Sequence, residues 1–387
     1  MIKTLVASTA EIDDVEAAVN EVKSQLKPEN GFLTNTIGII ACHYEFVHSG
    51  VFKSICEALP FDVVGTISSG QSVPDKHGLL FLTLMVLTSD DAQFVRVLTP
   101  SLMSEPGRVI EESYRTAAGT KKPALIFCFA AFMLQNSGDE YVNVLSRVSG
   151  GVPCFGTIAV DDTLDFSNCF MLSNGEHYQD RMSMVLVYGN IKPKFYFANI
   201  SQDRILEKSA VVTKSEGPVL MEVNGRPVGE YFESLGLKKA SENQYAMATL
   251  PFLLDYNDGT PMVSKIFVKL SPDGHAICAG AMPEGSTLHI AATDKDDVLL
   301  TTGEAIDLLL KDIGKTSEKD FGLLIYACIS RSMTFGAEQF KEIELVRQKI
   351  NTPFIMAFSG GEICPTLISE GKAINRFHNN AFIACLL

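Results

Sequence analysis

Residues 37–71, IGIIACHYEFVHSGVFKSICEALPFDVVGTISSGQ, hold the pattern that decides the fold of this 387-residue chain. Two apolar strands, at 37–42 and 62–66, flank a helix around 51–59, and a turn of small residues follows the second strand. An apolar return strand, LLFLTLMVL, comes next at 79–87. A helix-length crossover between two strands predicts that they run parallel, and the return strand adds an antiparallel partner.

The same order of strand, helix, strand, turn and return strand recurs in two further copies. In the second copy the segments are ALIFCF (124–129), EYVNVLSRV (140–148), VPCFGT (152–157), AVDD (159–162) and MSMVLVYG (182–189). In the third they are GLLIYACISR (322–331), AEQFKEIELVRQKI (337–350), TPFIM (352–356), SGGE (359–362) and NNAFIACLL (379–387). A pattern that recurs at this length predicts repeated structural units.

The strands of all copies are almost continuously apolar, which is typical of sheets that are covered on both faces. The sequence therefore predicts an α/β fold with mixed parallel and antiparallel sheets covered by helices. Residues 218–300 differ, because short strands separated by Gly-containing turns predict an antiparallel meander there. We expect two domains: residues 1–217 with two repeat units, at about 37–100 and 123–200, and residues 218–387 with the meander and the third unit.

The composition excludes several classes of partner. The chain carries 46 acidic and 32 basic residues, and its net charge of −14 repels phosphate backbones and anionic lipid. Its longest apolar runs are shorter than the ~20 residues that a membrane helix needs. The N-terminus, MIKTLVASTAEIDD, becomes acidic too early for a secretory signal. We therefore expect a cytoplasmic protein that binds neither nucleic acid nor membrane.

Sequence motifs for cofactors and metals are missing. The chain has no G-x-G-x-x-G, no G-x-x-x-x-G-K-[ST], no H-E-x-x-H, and no C-x-x-C pair among its nine cysteines. Asp161, Asp162 and Asp165 suggest a cation site, but acidic residues in a loop are more often solvated. We expect no cofactor, no metal, and buried, reduced thiols at most cysteine positions.

The third copy carries the strongest candidate site. Loops that follow parallel strands meet at the carboxyl ends of those strands. The guanidinium of Arg331 suits a ligand carboxylate, and the alternative is an internal salt bridge between Arg331 and Glu362. The predicted ligand-binding residues are Cys328, Arg331, Ser359, Gly360, Gly361, Glu362, His378 and Asn379, with Ser68, Ser69, Gly70 and Gln71 lining a wall or a second pocket.

Cys328 and His378 also allow an enzymatic interpretation. A thiolate close to a positive charge is a nucleophile, an imidazole is a base, and Arg331 lies three residues after Cys328. Against this, Cys42 and Cys128 take equivalent positions in the apolar first strands of the other copies, which favours a core role. The sequence leaves open a cysteine-dependent hydrolase or transferase that uses Cys328 with His378.

These segments resemble the FIST family, a sensory module with paired N- and C-terminal domains. In the N-terminal part the resemblance lies in FDVVGTISSGQSV (61–73), with Gln71 where the family often has Glu. The segment 212–236, VTKSEGPVLMEVNGRPVGEYFESLG, is similar to the junction of the two domains. The C-terminal part contributes IYACISR (325–331), FSGGEICP (358–365) and FHNNAFI (377–383), although Met356 or Ala357 stands where the family tends to have Gly.

The resemblance implies a ligand-sensing role in signal transduction, with amino acids among the proposed ligands. Such modules are often fused to kinase or chemotaxis domains, and here we expect no output segment after the closing strand at 379–387. We therefore expect a stand-alone cytoplasmic sensor whose ligand is an amino acid or a related small carboxylate. A separate signalling protein is the expected partner.

Overall fold

The computed structural model describes residues 2–27, 31–133, 136–163, 166–237, 250–315 and 321–387, with residues 207 and 208 described by their backbone alone. Three repeats share one order of elements, in which an edge strand and a helix precede the predicted pattern. Repeat 1 consists of β1 (Lys3–Thr9), α1 (Val15–Leu26), β2 (Asn35–Cys42), α2 (Glu45–His48), α3 (Val51–Ala58), β3 (Asp62–Ile67), β4 (Gln71–Ser72), β5 (His77–Gly78) and β6 (Leu82–Ser89).

Repeat 2 follows directly and lacks a counterpart of the short helix α2 in its described residues. It consists of β7 (Gln93–Leu98), α4 (Pro106–Ala118), β8 (Leu125–Ala130), α5 (Gly138–Ser149), β9 (Cys154–Ile158), β10 (Met171–Ser173), β11 (Glu176–Tyr178) and β12 (Met182–Tyr188).

Repeat 3 begins with β13 (Lys194–Ala198) and is then interrupted by an added antiparallel sheet. The added sheet contains β14 (Ile205–Glu216), β15 (Val219–Val223), β16 (Arg226–Pro227), α6 (Val228–Ser234), β17 (Phe252–Asp255), β18 (Val263–Lys265), β19 (Phe267–Leu270), β20 (Ala276–Cys278) and β21 (Thr287–Ala291). Repeat 3 resumes with α7 (Lys295–Ile313), β22 (Leu323–Cys328), α8 (Ile329–Met333), α9 (Lys341–Lys349), β23 (Phe354–Ser359), β24 (Gly361–Ser369), β25 (Lys372–His378) and β26 (Phe382–Leu386).

The strand directions agree with those expected from the sequence. The first two strands of each pattern pair in parallel, namely β2 with β3, β8 with β9, and β22 with β23. The return strand of each repeat pairs antiparallel with the first strand of that pattern. The prediction of an α/β fold with mixed sheets is therefore confirmed, and the meander predicted for 218–300 consists of antiparallel pairs.

Each repeat lends a hairpin to the sheet of another repeat. The hairpin β4–β5 of repeat 1 pairs with β23 of repeat 3, the hairpin β10–β11 of repeat 2 pairs with β3 of repeat 1, and the hairpin β24–β25 of repeat 3 pairs with β9 of repeat 2. Three six-stranded sheets therefore close on one another in a cycle. The sequence pattern did not indicate this exchange, because it contains only local periodicity.

The inner faces of the three sheets share one apolar core, and the helices cover their outer faces. The central core includes Ile39, Phe127, Tyr326 and Ile383, which come from all three repeats. Outside it, α1 and α3 pack on the first sheet, α4 and α5 on the second, and α7 and α9 on the third. This two-sided burial explains why the strands are apolar on both faces.

The added sheet has an apolar core of its own, built around Phe232, Phe252 and Phe267. It enters the chain after β13, whose pairing with β26 completes the third sheet. The predicted domain division at residues 217 and 218 falls in the turn between β14 and β15, and it stays a prediction. None of the described helices combines the length and the apolarity that a membrane crossing needs.

Candidate functional site

The turns that follow the second strand of each pattern meet at one end of the three sheets. The backbone amide of Val160 donates to the carbonyl of Ile67 at 3.2 Å, and the amide of Gly360 donates to the carbonyl of Ile158 at 2.9 Å. The amide of Phe358 donates to the carbonyl of Gly70 at 3.0 Å, which links repeat 3 back to repeat 1. The carboxyl ends of the parallel strands therefore form one continuous surface, as expected for the location of a site in an α/β sheet.

A cavity of about 110 Å³ lies at this end, between repeats 2 and 3 and the added sheet. Its polar lining comes from Cys328, Ser330, Gly360 and Asn379. The remaining lining is mostly apolar: Phe132, Val160, Phe166, Ile266, Phe267, Val268, Ala279, Ile329 and Met333. A second cavity of about 250 Å³ shares four of these residues, Phe132, Phe166, Val268 and Ala279, so the two spaces adjoin. Apolar walls with a few polar groups at one end are typical of small-molecule sites.

Cys328 lies on the inner face of the third sheet. Side chains alternate between faces along a strand, and Tyr326 and Leu324 of the same strand belong to the central core. Cys42 and Cys128 instead face the helix layers of their own repeats. The predicted equivalence of the three cysteines is therefore wrong, because Cys328 lies on the opposite face of its strand from Cys42 and Cys128 and meets the cavity.

Glu362 is fully buried next to Cys328, and it lies behind the cavity lining because Cys328 lines the cavity and Glu362 does not. The Ser359 hydroxyl donates to its Oε1 atom. Its Oε2 atom forms no hydrogen bond within the described ranges of the chain. Burial raises the pKa of Glu362 to about 8, against the opposing effect of the Ser359 hydroxyl. A carboxyl group in this position therefore carries a proton through much of the neutral pH range.

The segment between β25 and β26 adds two further buried amides. Asn379 is 1 % exposed and Asn380 is 0 % exposed. Asn379 Oδ1 and both polar side-chain atoms of Asn380 lack a hydrogen-bond partner among the residues that the structure describes. Asn379 lines the cavity, whereas the backbone carbonyl of Asn380 accepts from Arg331 at 3.4 Å. The buried end of the cavity therefore contains polar side-chain atoms that have no hydrogen-bond partner among the described residues.

Arg331 is 1 % exposed and lies inside a network that holds repeat 3 together. Its ion pair is with Glu342 of α9, at 2.8 Å, and the predicted alternative of a salt bridge with Glu362 is therefore wrong. The remaining donors of the guanidinium reach the backbone carbonyls of Asn199 and Val298 and the hydroxyl of Thr302, at 3.0, 3.2 and 2.7 Å. With its donors engaged, Arg331 positions the loop after β22, and a direct contact with a ligand stays a prediction.

His378 and Cys328 do not form a hydrogen bond with each other. His378 Nε2 lies 3.3 Å from the backbone carbonyl of Cys364, and the ring packs 5.4 Å from the ring of Phe197. Burial lowers the pKa of His378 to about 3, and burial raises the pKa of the Cys328 thiol to about 12. At neutral pH the pair is a neutral imidazole and a protonated thiol, the opposite of what a cysteine nucleophile needs.

The predicted residues of repeat 1 lie on the neighbouring wall, away from the described lining of the 110 Å³ cavity. The Ser68 hydroxyl donates to the carbonyl of Phe358 at 2.7 Å, and Gln71 Nε2 donates to the carbonyl of Ser68 at 2.5 Å. Gly70 has φ of 116°, which L side chains rarely adopt. Ser69 borders a more open space of about 430 Å³ together with Asp161 and Asp162.

Lys265 and Asp139 form a buried ion pair that the sequence pattern did not predict. Lys265 Nζ lies 2.8 Å from Asp139 Oδ1 and 2.7 Å from the backbone carbonyl of Phe377. Burial lowers the pKa of Lys265, but the charge of Asp139 outweighs this effect and leaves the pKa raised. The pair joins the added sheet to α5 of repeat 2 beside the cavities. A lone Lys in strand β18, distant in sequence from any acid, gave no signal for it.

The described residues contain no group of three His, Cys, Asp or Glu side chains arranged to hold a metal ion. Asp161 accepts hydrogen bonds from the Thr163 amide, the Thr163 hydroxyl and the Asn168 amide, at 3.1, 2.8 and 2.8 Å. The carboxylate of Asp161 therefore accepts hydrogen bonds from residues of its own loop. Asp165, the third acid of the predicted cation site, lies outside the described residues.

Comparison with protein families gives two adjacent matches. The model of the FIST N domain matches residues 36–226, and the model of the FIST C domain matches residues 228–365. No curated protein matches the chain.

Comparison with solved structures gives distant similarities, among them the following two. One is to a cyanuric acid hydrolase from A. caulinodans, at 10% identity and a TM-score of 0.37, covering 100% of this chain and 99% of the other. Another is to PurLQS from Thermotoga maritima, at 11% identity and a TM-score of 0.19, covering 100% of this chain and 72% of the other. Similarities this weak carry no argument about function.

Proposed function

Because the chain belongs to the FIST family, whose domains are sensory, ligand-binding domains of signal transduction, we propose that it senses an amino acid or a related small carboxylate in the 110 Å³ cavity. The ligand would be a cytoplasmic metabolite, and a separate signalling protein would read the bound state.

The 110 Å³ cavity between repeats 2 and 3 and the added sheet carries this proposal. Cys328, Ser330 and Asn379 supply polar groups at one end, and aromatic and aliphatic side chains supply a wall for an apolar substituent. A small molecule with a polar head and a short apolar side chain fits such a lining. Because the walls come from two separately packed parts of the chain, a bound ligand contacts both, which is what a sensor needs in order to change its state.

The other predicted site residues take supporting positions in this proposal. Ser359, Gly361, Glu362 and His378 lie behind the lining, and Arg331 holds the loop that carries Ser330. Ser68, Ser69, Gly70 and Gln71 form the adjoining wall through their bonds to repeat 3.

A thermal-shift screen tests the proposal. The twenty amino acids and a set of small organic acids are added to the full chain, and a binding compound at 100 times its Kd adds ~2.7 kcal/mol to the free energy of unfolding. Ala279→Leu places extra side-chain volume in both cavities and should abolish the response. Ala117→Leu, at a similarly half-buried alanine on α4, is the matched control and should keep it. No shift with any compound would overturn the proposal.

The location of Cys328 on the cavity wall favours testing a second function, a cysteine-dependent hydrolase or transferase with His378. An activated Cys328 would react with iodoacetamide far faster than the other eight thiols. Burial raises the pKa of Cys328 and that of Cys56 to about 12, so we expect slow labelling of both at pH 7, with Cys56 the faster because it is only half-buried. Rapid, selective alkylation of Cys328 would support the enzyme and contradict this expectation.

A further inference from the structure

The buried end of the cavity presents acceptors that lack donors. Glu362 Oε2 and Asn379 Oδ1 are both buried and form no hydrogen bond inside the described part of the chain. The amide of Asn379 lies on the cavity wall, 3.3 Å from the point where a side chain on Gly361 would begin. A ligand that satisfied these atoms would bring hydrogen-bond donors.

The cations near Glu362 already have partners. Arg331 is paired with Glu342, and Lys265 is paired with Asp139. No ion pair of Glu362 itself is formed by the described residues. A buried carboxylate without a counter-ion is unfavourable, and a cation delivered by a ligand removes that cost.

From this geometry, and on the basis of the function proposed above, we propose that Glu362 is the counter-ion for a primary ammonium group of the ligand, with Asn379 Oδ1 as a second acceptor. The sensor would then recognise amines, amino acids among them, and would reject acids that lack the amine. Glu362 lies behind Cys328, so the ammonium would approach past the thiol side chain, which is small and uncharged.

This assignment predicts that binding releases a proton. The raised pKa of Glu362, about 8, means that the free protein holds a proton on this carboxyl at pH 6.5. The ammonium binds the ionised carboxylate, so the O–H bond breaks and its proton passes to the buffer. Affinity should fall roughly tenfold for each pH unit below about 8.

The other titratable groups around Glu362 do not produce the same signature. They are Cys328 of β22, Arg331 of α8 with Glu342 of α9, His378 of β25, and Lys265 of β18 with Asp139 of α5. Burial holds the pKa of His378 near 3 and that of Cys328 near 12, so neither group titrates between pH 6.5 and 8. The remaining charges are in ion pairs.

Calorimetric titration of the full chain tests the inference. The probe is the amino acid with the largest thermal shift, compared with its decarboxylated amine, its deaminated acid and its N-acetyl derivative at pH 6.5 and 8.0. We expect the amine to bind and the acid and N-acetyl compounds to lose roughly 100-fold or more in affinity. At pH 6.5, two buffers of different ionisation heat should report close to one proton released per ligand.

Glu362→Gln and a matched variant complete the test. Glu362→Gln should lose both the proton release and the preference for amines. Glu111→Gln makes the same chemical change on α4, where Glu111 pairs with Arg115 and Arg147 outside the linings of both cavities, and this variant should keep both properties. If Glu362→Gln does not fold, proton release by the unaltered chain decides the question alone.

The outcomes separate the two proposals. Binding without proton release, or equal binding of the deaminated acid, would overturn the role of Glu362 and leave the sensor function standing. Failure of every amino acid and amine to bind would overturn the sensor function and this inference together.

Discussion

Repeats 1 and 3 end their parallel strand pairs in corresponding turns, but the polar residue that follows the turn has a different environment in each repeat. Gln71 lies opposite Ala357, and Glu362 lies opposite Thr157, so each begins a hairpin that enters another sheet. Gln71 is neutral and donates to Ser68 within its own turn. Glu362 is an acid that accepts from Ser359, has no hydrogen-bond partner for its Oε2 atom among the described residues, and lies beside Cys328 of the cavity lining. The same backbone arrangement therefore carries a wall residue in repeat 1 and a candidate binding group in repeat 3.

The loops after the first strands differ in the same way. In repeat 1, His43 lies 3.3 Å from Asp162, whose side chain is 34% exposed. In repeat 3, Arg331 and Glu342 are both almost completely buried. His43 itself is buried, but the carboxylate of Asp162 reaches water and can be solvated when its partner is removed, whereas the removal of one partner from a fully buried pair leaves a desolvated charge. The loss of one partner should therefore cost more stability in the loop of repeat 3 than in the loop of repeat 1.

The largest expected effect on stability comes from removing the buried cation of repeat 3. Arg331→Met leaves the carboxylate of Glu342 buried without a cation, and it should lower the free energy of unfolding by roughly 3–5 kcal/mol. His43→Gln in repeat 1 should cost only about 1 kcal/mol, because water can replace the lost partner of Asp162. Urea unfolding of both variants measures the contrast, and equal costs would show that the two loops are held alike.

A smaller effect concerns the charge that distinguishes Glu362 from Gln71. The pKa of Glu362 is raised from 4.5 to about 8 in the folded chain, so the folded state binds one more proton than the unfolded state between these values. Its contribution to stability is therefore complete below pH 4.5 and is lost as the pH rises to 8. His378, with a pKa lowered from 6.5 to about 3, offsets this slope below pH 6.5.

The window from pH 6.5 to 8 therefore isolates Glu362. Unfolding free energy should fall by ~2 kcal/mol across it in the unaltered chain, relative to Glu362→Gln. Denaturant unfolding of both proteins at several pH values gives the difference directly. Parallel pH profiles would mean that the acid ionises freely, and would remove the contrast with Gln71.

The smallest expected effects come from the two serines of the turns. Ser68→Ala removes a hydrogen bond to Phe358 and should cost about 1 kcal/mol at pH 6.5 and pH 8 alike. Ser359→Ala removes a donor to Glu362 and should cost more at pH 8 than at pH 6.5, because the ionised carboxylate needs that donor more. Thermal unfolding at the two pH values separates them, and a pH-dependent cost at Ser68 would contradict the comparison.

Much of the fold could be read from the sequence because strand and helix periodicities are local. The parallel pairs, the antiparallel return strands and the added meander follow from apolar runs, crossover length and turn residues. The exchange of hairpins among repeats could not be read in this way. It pairs residues as distant as Gln71 and Ala357, and nothing in the two short segments specifies the partner.

The candidate site likewise has features that the sequence determined and features that only the tertiary structure decided. The sequence by itself determined the chemical types at the ends of the third strand pair: a thiol, hydroxyls, a guanidinium, an acid and two amides. Only the tertiary structure decided that Arg331 pairs with Glu342, that Cys328 faces inward, and that Glu362 is left without a cation among the described residues. The reason is physical, since burial and partnership depend on which distant elements pack together, and these two properties set the charge and the reactivity of a side chain.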